Sequence, residues 1–144
     1  MMFSKKCEYA LKAVIYLHIK RKDEEKLGIK ELAKEIESPE AFTAKILQEL
    51  VKAKIISSVK GPKGGFFIDP KAKPVMVIDL INLIDGDEVF NRCGLGLKEC
   101  SESHPCPIHN EFKSYSQKLK SLMITKTIKE FAESVELGSA YIRN

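Results

Sequence analysis

Between residues 29 and 69, two short apolar stripes of helical period run directly into two β-rich runs, an order that leaves few folds open. Ile29, Leu32, Ala33 and Ile36 fall at i, i+3, i+4 and i+7, on one face of a short helix. Ser38-Pro39-Glu40 supplies a capping serine, a proline suited to the first helical position and a carboxylate for the positive end of the helix dipole. This predicts a second helix capped by Ser38, with Phe42, Ile46, Leu50 and Ala53 facing inward. IISSVKGPKGGFFID then reads as two strands, near 55–59 and 65–69, around Gly61, Pro62, Gly64 and Gly65. A tight helix pair followed at once by a hairpin bearing Lys60 and Lys63 is the winged helix-turn-helix arrangement. In it the second helix enters the major groove of DNA and the wing follows the backbone or minor groove.

The flanks complete the architecture. Cys7, Ala10, Leu11, Val14 and Leu17 repeat near helical period through residues 4–20, and RKDEEK is a charged turn. Pro74 is expected to open a helix with Val77, Leu80, Ile81 and Ile84 on one face and Gly86 as its stop. From Pro107 onward, Ile108, Phe112, Tyr115, Leu119 and Leu122 alternate spacings of four and three, as in a coiled-coil seam. That spacing suits a helix that pairs with a second copy; packing inside its own domain is the alternative. Thr127 and Glu130 fit a capping box ahead of Ile128, Phe131, Ala132 and Val135. The expected fold class is mainly α with a small β-hairpin. It comprises a winged helix-turn-helix domain over 1–74, a connecting helix and cysteine-containing sensor loop over 75–106, and a dimerisation helix with a closing helix over 107–144.

Charge points to the same partner. The net charge of +4 is unevenly spread: residues 1–74 hold 16 Lys and Arg against 10 Asp and Glu, whereas residues 75–144 hold 8 against 10. A basic front half suits a polyanion. No apolar run approaches the roughly 20 residues a membrane helix requires. The N-terminal MMFSKKCEYALKAV is broken by Lys12 and lacks a small-residue cleavage site, so a cytoplasmic location is expected. Neither a nucleophile-base-acid set nor a P-loop is present, and catalysis is not expected.

Residues 93–109, CGLGLKECSESHPCPIH, gather three of the four cysteines and two of the three histidines. In a reducing compartment such a cluster points to metal or redox chemistry rather than a disulfide framework. Gly94 and Gly96 let the chain bend, while Pro105 and Pro107 stiffen it around Cys106. With Pro107 as the first helical residue, Cys106 falls at the N-cap, where the helix dipole favours a thiolate, and His109 lies at the same end. Soft thiolates suit iron-sulfur clusters and zinc alike. Structural zinc sites commonly use a closely spaced cysteine pair, which is missing here, and the wider spacings fit a larger object held by a loop. Bare thiol redox sensing stays open. Cys7 reads as a core residue and His104 as a solvated one.

The run ESPEAFTAKILQELVKAKIISSVKGPKGGFFI resembles the signature of the Rrf-two-type winged-helix transcriptional regulators, whose branches include the iron-sulfur regulator IscR and the nitric-oxide sensor NsrR. YALKAVIYL and CPIHNEF extend the likeness over nearly the whole chain. Lys54 stands where the family usually has a glycine ending the recognition helix, Phe42 replaces a tyrosine, and the first two cysteines are one residue further apart than in the IscR branch. The resemblance implies a homodimer on a palindromic double-stranded DNA operator, with Ser38, Thr43, Ala44, Lys45, Lys60 and Lys63 as DNA-binding residues. Ala44 and the Thr43 methyl would meet a thymine methyl, and Lys45 the acceptor edge of guanine. It also implies Cys93, Cys100 and Cys106 as ligands of an iron-sulfur cluster, 2Fe-2S or 4Fe-4S. His109 is the IscR-like fourth ligand and Glu8 the NsrR-like one, reaching across the dimer. The expected function is a transcriptional regulator whose operator affinity the cluster controls. The alternatives are a clusterless regulator switching by cysteine oxidation and a small iron-sulfur electron carrier, which would leave the basic wing without purpose.

Overall fold

Ser4 starts the first helix: its hydroxyl accepts the backbone N–H of Cys7 at 3.1 Å, and α1 runs from Lys5 to Lys20. The computed structural model describes residues 2–143, with six α-helices and one two-stranded hairpin among them. α1 buries Cys7, Ala10, Ala13, Val14, Ile15, Leu17 and His18, a broader face than the expected stripe, because other elements pack on several sides of it.

α2 (Ile29–Glu35) ends at Glu37, which takes the left-handed conformation with φ 55° and turns the chain into α3 (Glu40–Lys52). Pro39, not Ser38, caps α3: its ψ of 136° is extended, and its carbonyl accepts the Thr43 N–H at 2.9 Å. An extended proline cannot serve as the first helical residue, so the cap moves one position along the chain. Ile46, Leu47 and Leu50 fill the inner face of α3, and Ala53 lies exposed beyond its end. Lys54 then adopts φ 62°, with its N–H on the Val51 carbonyl at 2.9 Å and that of Ile55 on Leu50 at 3.0 Å. This is the left-handed helix end that glycine adopts without a Cβ penalty.

β1 (Ser57–Val59) and β2 (Gly65–Phe67) pair antiparallel with Ser58 opposite Phe66, over shorter runs than the sequence suggested. Leu27 ties the hairpin to the body through reciprocal backbone bonds with Phe66 of 2.9 and 2.8 Å. Gly65 is required there: its φ is +144°, and a Cβ would stand 2.8 Å from the Leu27 carbonyl oxygen.

α4 (Val77–Asp85) starts three residues later than Pro74 suggested. Val75 and Met76 are instead extended and bonded to the next junction, Val77 N–H to Lys126 O and Ile128 N–H to Val75 O, each at 2.9 Å. Gly86 stops the helix at φ 85°. After the cysteine segment come α5 (His109–Thr125) and α6 (Ile128–Glu136), the latter capped by Thr127, whose hydroxyl accepts the Glu130 N–H at 3.1 Å. α6 seals the core by burying Ile128 and Ala132. One buried cluster extends from Cys7 to Ala132, so the front, connecting and rear segments share a single core. No helix among the described residues is long and apolar enough to cross a membrane.

Two measurements test these local features. Lys54→Gly should stabilise the protein by about 0.5–1 kcal/mol, because relief of left-handed strain exceeds the entropy that glycine adds to the unfolded chain; urea unfolding at fixed protein concentration reads this. His18 is buried with Nδ1 unpartnered, and burial, then the charges of Arg21 and Lys129, push its pKa from 6.5 down to about 4. The unfolded chain therefore binds the extra proton between those values, and stability should fall as pH drops through that window. His18→Leu should flatten that part of the stability profile.

Candidate functional site

The outward side of α3 and the hairpin form one polar face. Lys45 is exposed, Ala44 is half-buried, and Lys60 and Lys63 stand exposed on the hairpin. Thr43 is 0% exposed and its Oγ1 donates to the Pro39 carbonyl at 2.8 Å. The expectation that its methyl reads a base is corrected: the side chain is spent holding the first turn. Ser38 is half-buried, its hydroxyl paired with that of Thr43, so it supports the turn from outside. The structure adds Gln48 and Lys52, which with Val59 and Lys60 line a groove of about 360 Å³ between α3 and the hairpin. Their signal in the sequence was their place along the polar side, Gln48 four residues beyond Ala44 and Lys52 seven beyond Lys45.

Behind this face, the cysteine segment hangs from a single-turn helix at Val89–Asn91, whose Val89 and Phe90 are buried. The Phe90 carbonyl accepts Ser116 Oγ from inside α5 at 2.6 Å. From there the chain folds around Cys93. The Gly96 N–H donates to the Cys93 carbonyl at 3.0 Å, and the backbone amides of Leu95 and Leu97 beside the sulfur, with a smaller contribution from the Cys106 thiol, hold its pKa below that of an ordinary thiol. Cys100 Sγ lies 3.4 Å from His109 Nδ1, and the His109 side chain is buried. The segment rests on the helix behind it: a Cβ on Gly94 would stand 2.7 Å from the Phe112 ring, and Lys113 pairs with Glu102. A cavity of about 1010 Å³ is lined by Met2, Arg92, Cys93, Cys100, Phe112 and Tyr115.

One expectation here is corrected. Cys106 is not the N-cap of α5; Ile108 is, and α5 starts at His109. Cys106 to His109 forms a turn closed by the His109 N–H on the Cys106 carbonyl at 3.0 Å, which delays the helix by two residues.

The structure thus brings together Cys93 with Cys106 and Cys100 with His109. Among the described residues, no three His, Cys, Asp or Glu side chains converge on a single metal ion. Glu8 sits on α1, paired with Lys5 at 3.1 Å. His104 is exposed beside Ser103. Cys7 is fully buried, and burial followed by the nearby Asp85 pushes its thiol up to about 12, which makes it an inert core residue.

Residues 3–134 match Rrf2, described as iron-dependent transcriptional regulators. The chain belongs to the Rrf2 family. A protein of Aquifex aeolicus (strain VF5), named as an HTH-type transcriptional regulator, is 32% identical over 132 residues, 90% of each chain. The regulator NsrR of Oceanobacillus iheyensis is 28% identical over 109 residues, 75% of this chain and 74% of that one. CymR, the global cysteine regulator of B. subtilis, superposes at a TM-score of 0.70 with 20% identity, covering 91% of this chain and 95% of its own. IscR of T. potens superposes at 0.67 with 17% identity, covering 96% and 90%. These two likenesses show the winged-helix fold. This Rrf2 protein is therefore a DNA-binding transcriptional regulator and not an enzyme, and the electron-carrier reading falls away.

The thiol environments set an order of reactivity. In folded, iron-free protein, iodoacetamide should label Cys93 first and at lower pH than an ordinary thiol, and should leave Cys7 unlabelled until the chain unfolds. Peptide mass spectrometry over a pH series checks both.

Proposed function

We propose that this Rrf2 regulator binds a palindromic operator as a homodimer, and that an iron-sulfur cluster held by Cys93, Cys100, Cys106 and His109 controls its affinity. The observation that carries this reading is the gathering of two donor pairs, Cys93 with Cys106 and Cys100 with His109, around the start of α5.

The donor set fits such a group. Three thiols and an imidazole are soft or borderline ligands, and the backbone amides around Cys93 already favour its thiolate. All three sulfurs belong to half-exposed residues on a glycine-bearing loop. When bound, the cluster supplies a centre sensitive to oxidants, nitric oxide and iron supply. His109 is favoured over Glu8 as fourth ligand, because it is already at Cys100, whereas Glu8 is engaged with Lys5 and would have to come from the second copy. The description of the family as iron-dependent and the NsrR relative support the same reading.

For the dimer, Ile108, Tyr115, Leu122 and Ile124 of the α5 region are exposed, Tyr115 at 63%, and Ile108, Tyr115 and Leu122 recur every seven residues. A stripe left open at that spacing suits a second copy of the same helix. On DNA, Lys45 and Ala44 would meet base edges while Lys60 and Lys63 meet phosphates. The free thiols suit work in a reducing cytoplasm.

A second reading has its own support. Because the Cys106 thiol lies near enough to Cys93 to help bias it towards thiolate, a peroxide could oxidise the pair directly. The two thiols would lose two protons and two electrons in forming one S–S bond, and the peroxide would take these up to become two waters.

Anaerobic purification with iron and sulfide analysis, paired with operator binding over a salt series, tests the proposal. If a dimer neutralises about 6–10 phosphates, log affinity should fall with log salt at a slope of about −5 to −9, and Lys45→Ala should weaken the preferred site more than random duplex. Cys93→Ser, Cys100→Ser and Cys106→Ser should each lose the cluster absorbance, whereas Glu8→Gln should keep it. Iron-free protein that switches operator affinity with a Cys93–Cys106 disulfide would replace the first reading with the second.

A further inference from the structure

The three residues ahead of α1 touch the cysteine-loop side of the molecule one after another. Met2 lines the cavity that holds Cys93 and Cys100. Phe3 packs edge-on against Phe90 with ring centroids 5.9 Å apart, three residues before Cys93. Ser4 is clamped by Asp85, the last residue of α4: its backbone N–H donates to Oδ2 at 2.8 Å and its hydroxyl to Oδ1. The same carboxylate lies close enough to the buried Cys7 thiol to help raise its pKa. On the other side of Asp85, its carbonyl accepts Arg92 Nη2 at 3.4 Å, next to Cys93. A carboxylate from α4 thus caps the positive end of α1 and begins the segment that carries the cysteines.

The next two turns of α1 make the contacts that place the DNA-reading helices. Lys6 Nζ pairs with Glu49 of α3 at 2.6 Å, Tyr9 stacks edge-on with Phe42 of α3 at 5.7 Å, and Lys12 Nζ donates to the Ile36 carbonyl, at the end of α2, at 2.9 Å. Within residues 2–12, α1 and its lead-in touch the loop on one side and the recognition helix on the other.

We propose that Asp85 is the positioning residue of a joint, formed with Ser4 and with Phe3 on Phe90, through which a change in the cysteine loop moves α1 and with it the start of α3. The proposal rests on the reading of the loop as the sensor, and it adds the route by which sensing reaches DNA. α1 is a packed rod that translates or tilts as a unit. A pull on residues 86–93 acts at Asp85 and Phe90, the two points where that segment holds the rod's end, and further along, the rod, which also packs on α6, reaches the end of α2 at Ile36 and α3 at Phe42 and Glu49.

Asp85→Asn preserves the shape of the clamp and removes its charge, and Ser4→Ala removes the hydroxyl donor; neither residue is a cluster ligand or a DNA contact. The measurement is the ratio of operator affinities between anaerobic, cluster-loaded protein and the same protein stripped of iron, with iron content recorded for each variant. Coupled sites usually differ about 5- to 150-fold, and wild-type protein is expected in that range. Both variants should keep their iron and compress the ratio towards one, and amide exchange at residues 40–43 should lose its dependence on loop state. A purely structural cap would weaken binding equally in both states and leave the ratio at its wild-type value, which overturns the proposal. Should Asp85→Asn fail to fold, Ser4→Ala decides alone. A wild-type ratio of one would remove the sensing reading itself, an outcome distinct from a wild-type ratio that survives in the variants.

Discussion

Burial of α1 is the constraint on which the rest of the molecule depends. Cys7, Ala10, Ala13, Val14 and Leu17 are almost completely hidden, and helices α3, α4 and α6 all pack on this one rod. Each large aliphatic side chain taken out of water contributes about 1.5–3 kcal/mol, and the alanines let neighbouring backbones come close. A winged domain with its own separate core would be free of what lies behind it. Here Ile128 and Ala132 of α6 sit in the same cluster as Leu32 of α2 and Leu47 of α3. The backbone ladder that joins Val75 and Val77 to Lys126 and Ile128 fixes this closure without any side chain, so the order of the rear helices follows from the path of the chain.

The cysteines show how much the surroundings decide. Cys7 and Cys93 carry the same thiol, yet their pKa values move in opposite directions. Around Cys7, apolar packing and a carboxylate disfavour the anion. Around Cys93, amide N–H groups of a glycine-bearing turn point at the sulfur and favour it. The same carboxylate that keeps Cys7 protonated caps α1, so an inert thiol in the core and a reactive one in the loop lie on either side of Asp85.

Periodicity made most of the helices legible, because each repeats apolar residues near helical spacing; the hairpin was legible from its glycines, and the basic tip from Lys60 and Lys63. What escaped depends on contacts distant in sequence or on a single backbone angle. Pro74 looked like a helix start, yet Val75 and Met76 are drawn into pairing with residues some fifty positions later, which no local pattern reveals. The proline after Ser38 and the one after Cys106 both looked like first helical residues; in each case the helix begins later, since an extended ψ or a preceding turn uses the position otherwise. Thr43 looked available because threonine suits a groove contact, but its hydroxyl has a nearer acceptor in the Pro39 carbonyl. The nearness of Cys93, Cys100, Cys106 and His109 along the chain was legible from the sequence, but the meeting of Cys100 with His109 was not.

In the proposed dimer, α5 would link assembly to the cysteine loop. Within one chain it buries only His109, Ser116 and Met123, spaced seven residues apart, two of them polar. Isolated helices near this length are marginal in water, and so narrow a buried row adds little. The apolar residues beside it, Ile108, Tyr115 and Leu122, share the same spacing and remain open. In the proposed dimer a second α5 would cover them and hold the helix from its first turn. That first turn is where His109 meets Cys100 and where Cys106 closes the preceding turn. Pairing of two copies would therefore set the geometry of the donors, and a change among the donors would act on the pairing helix at its end, where it is least supported by its own chain.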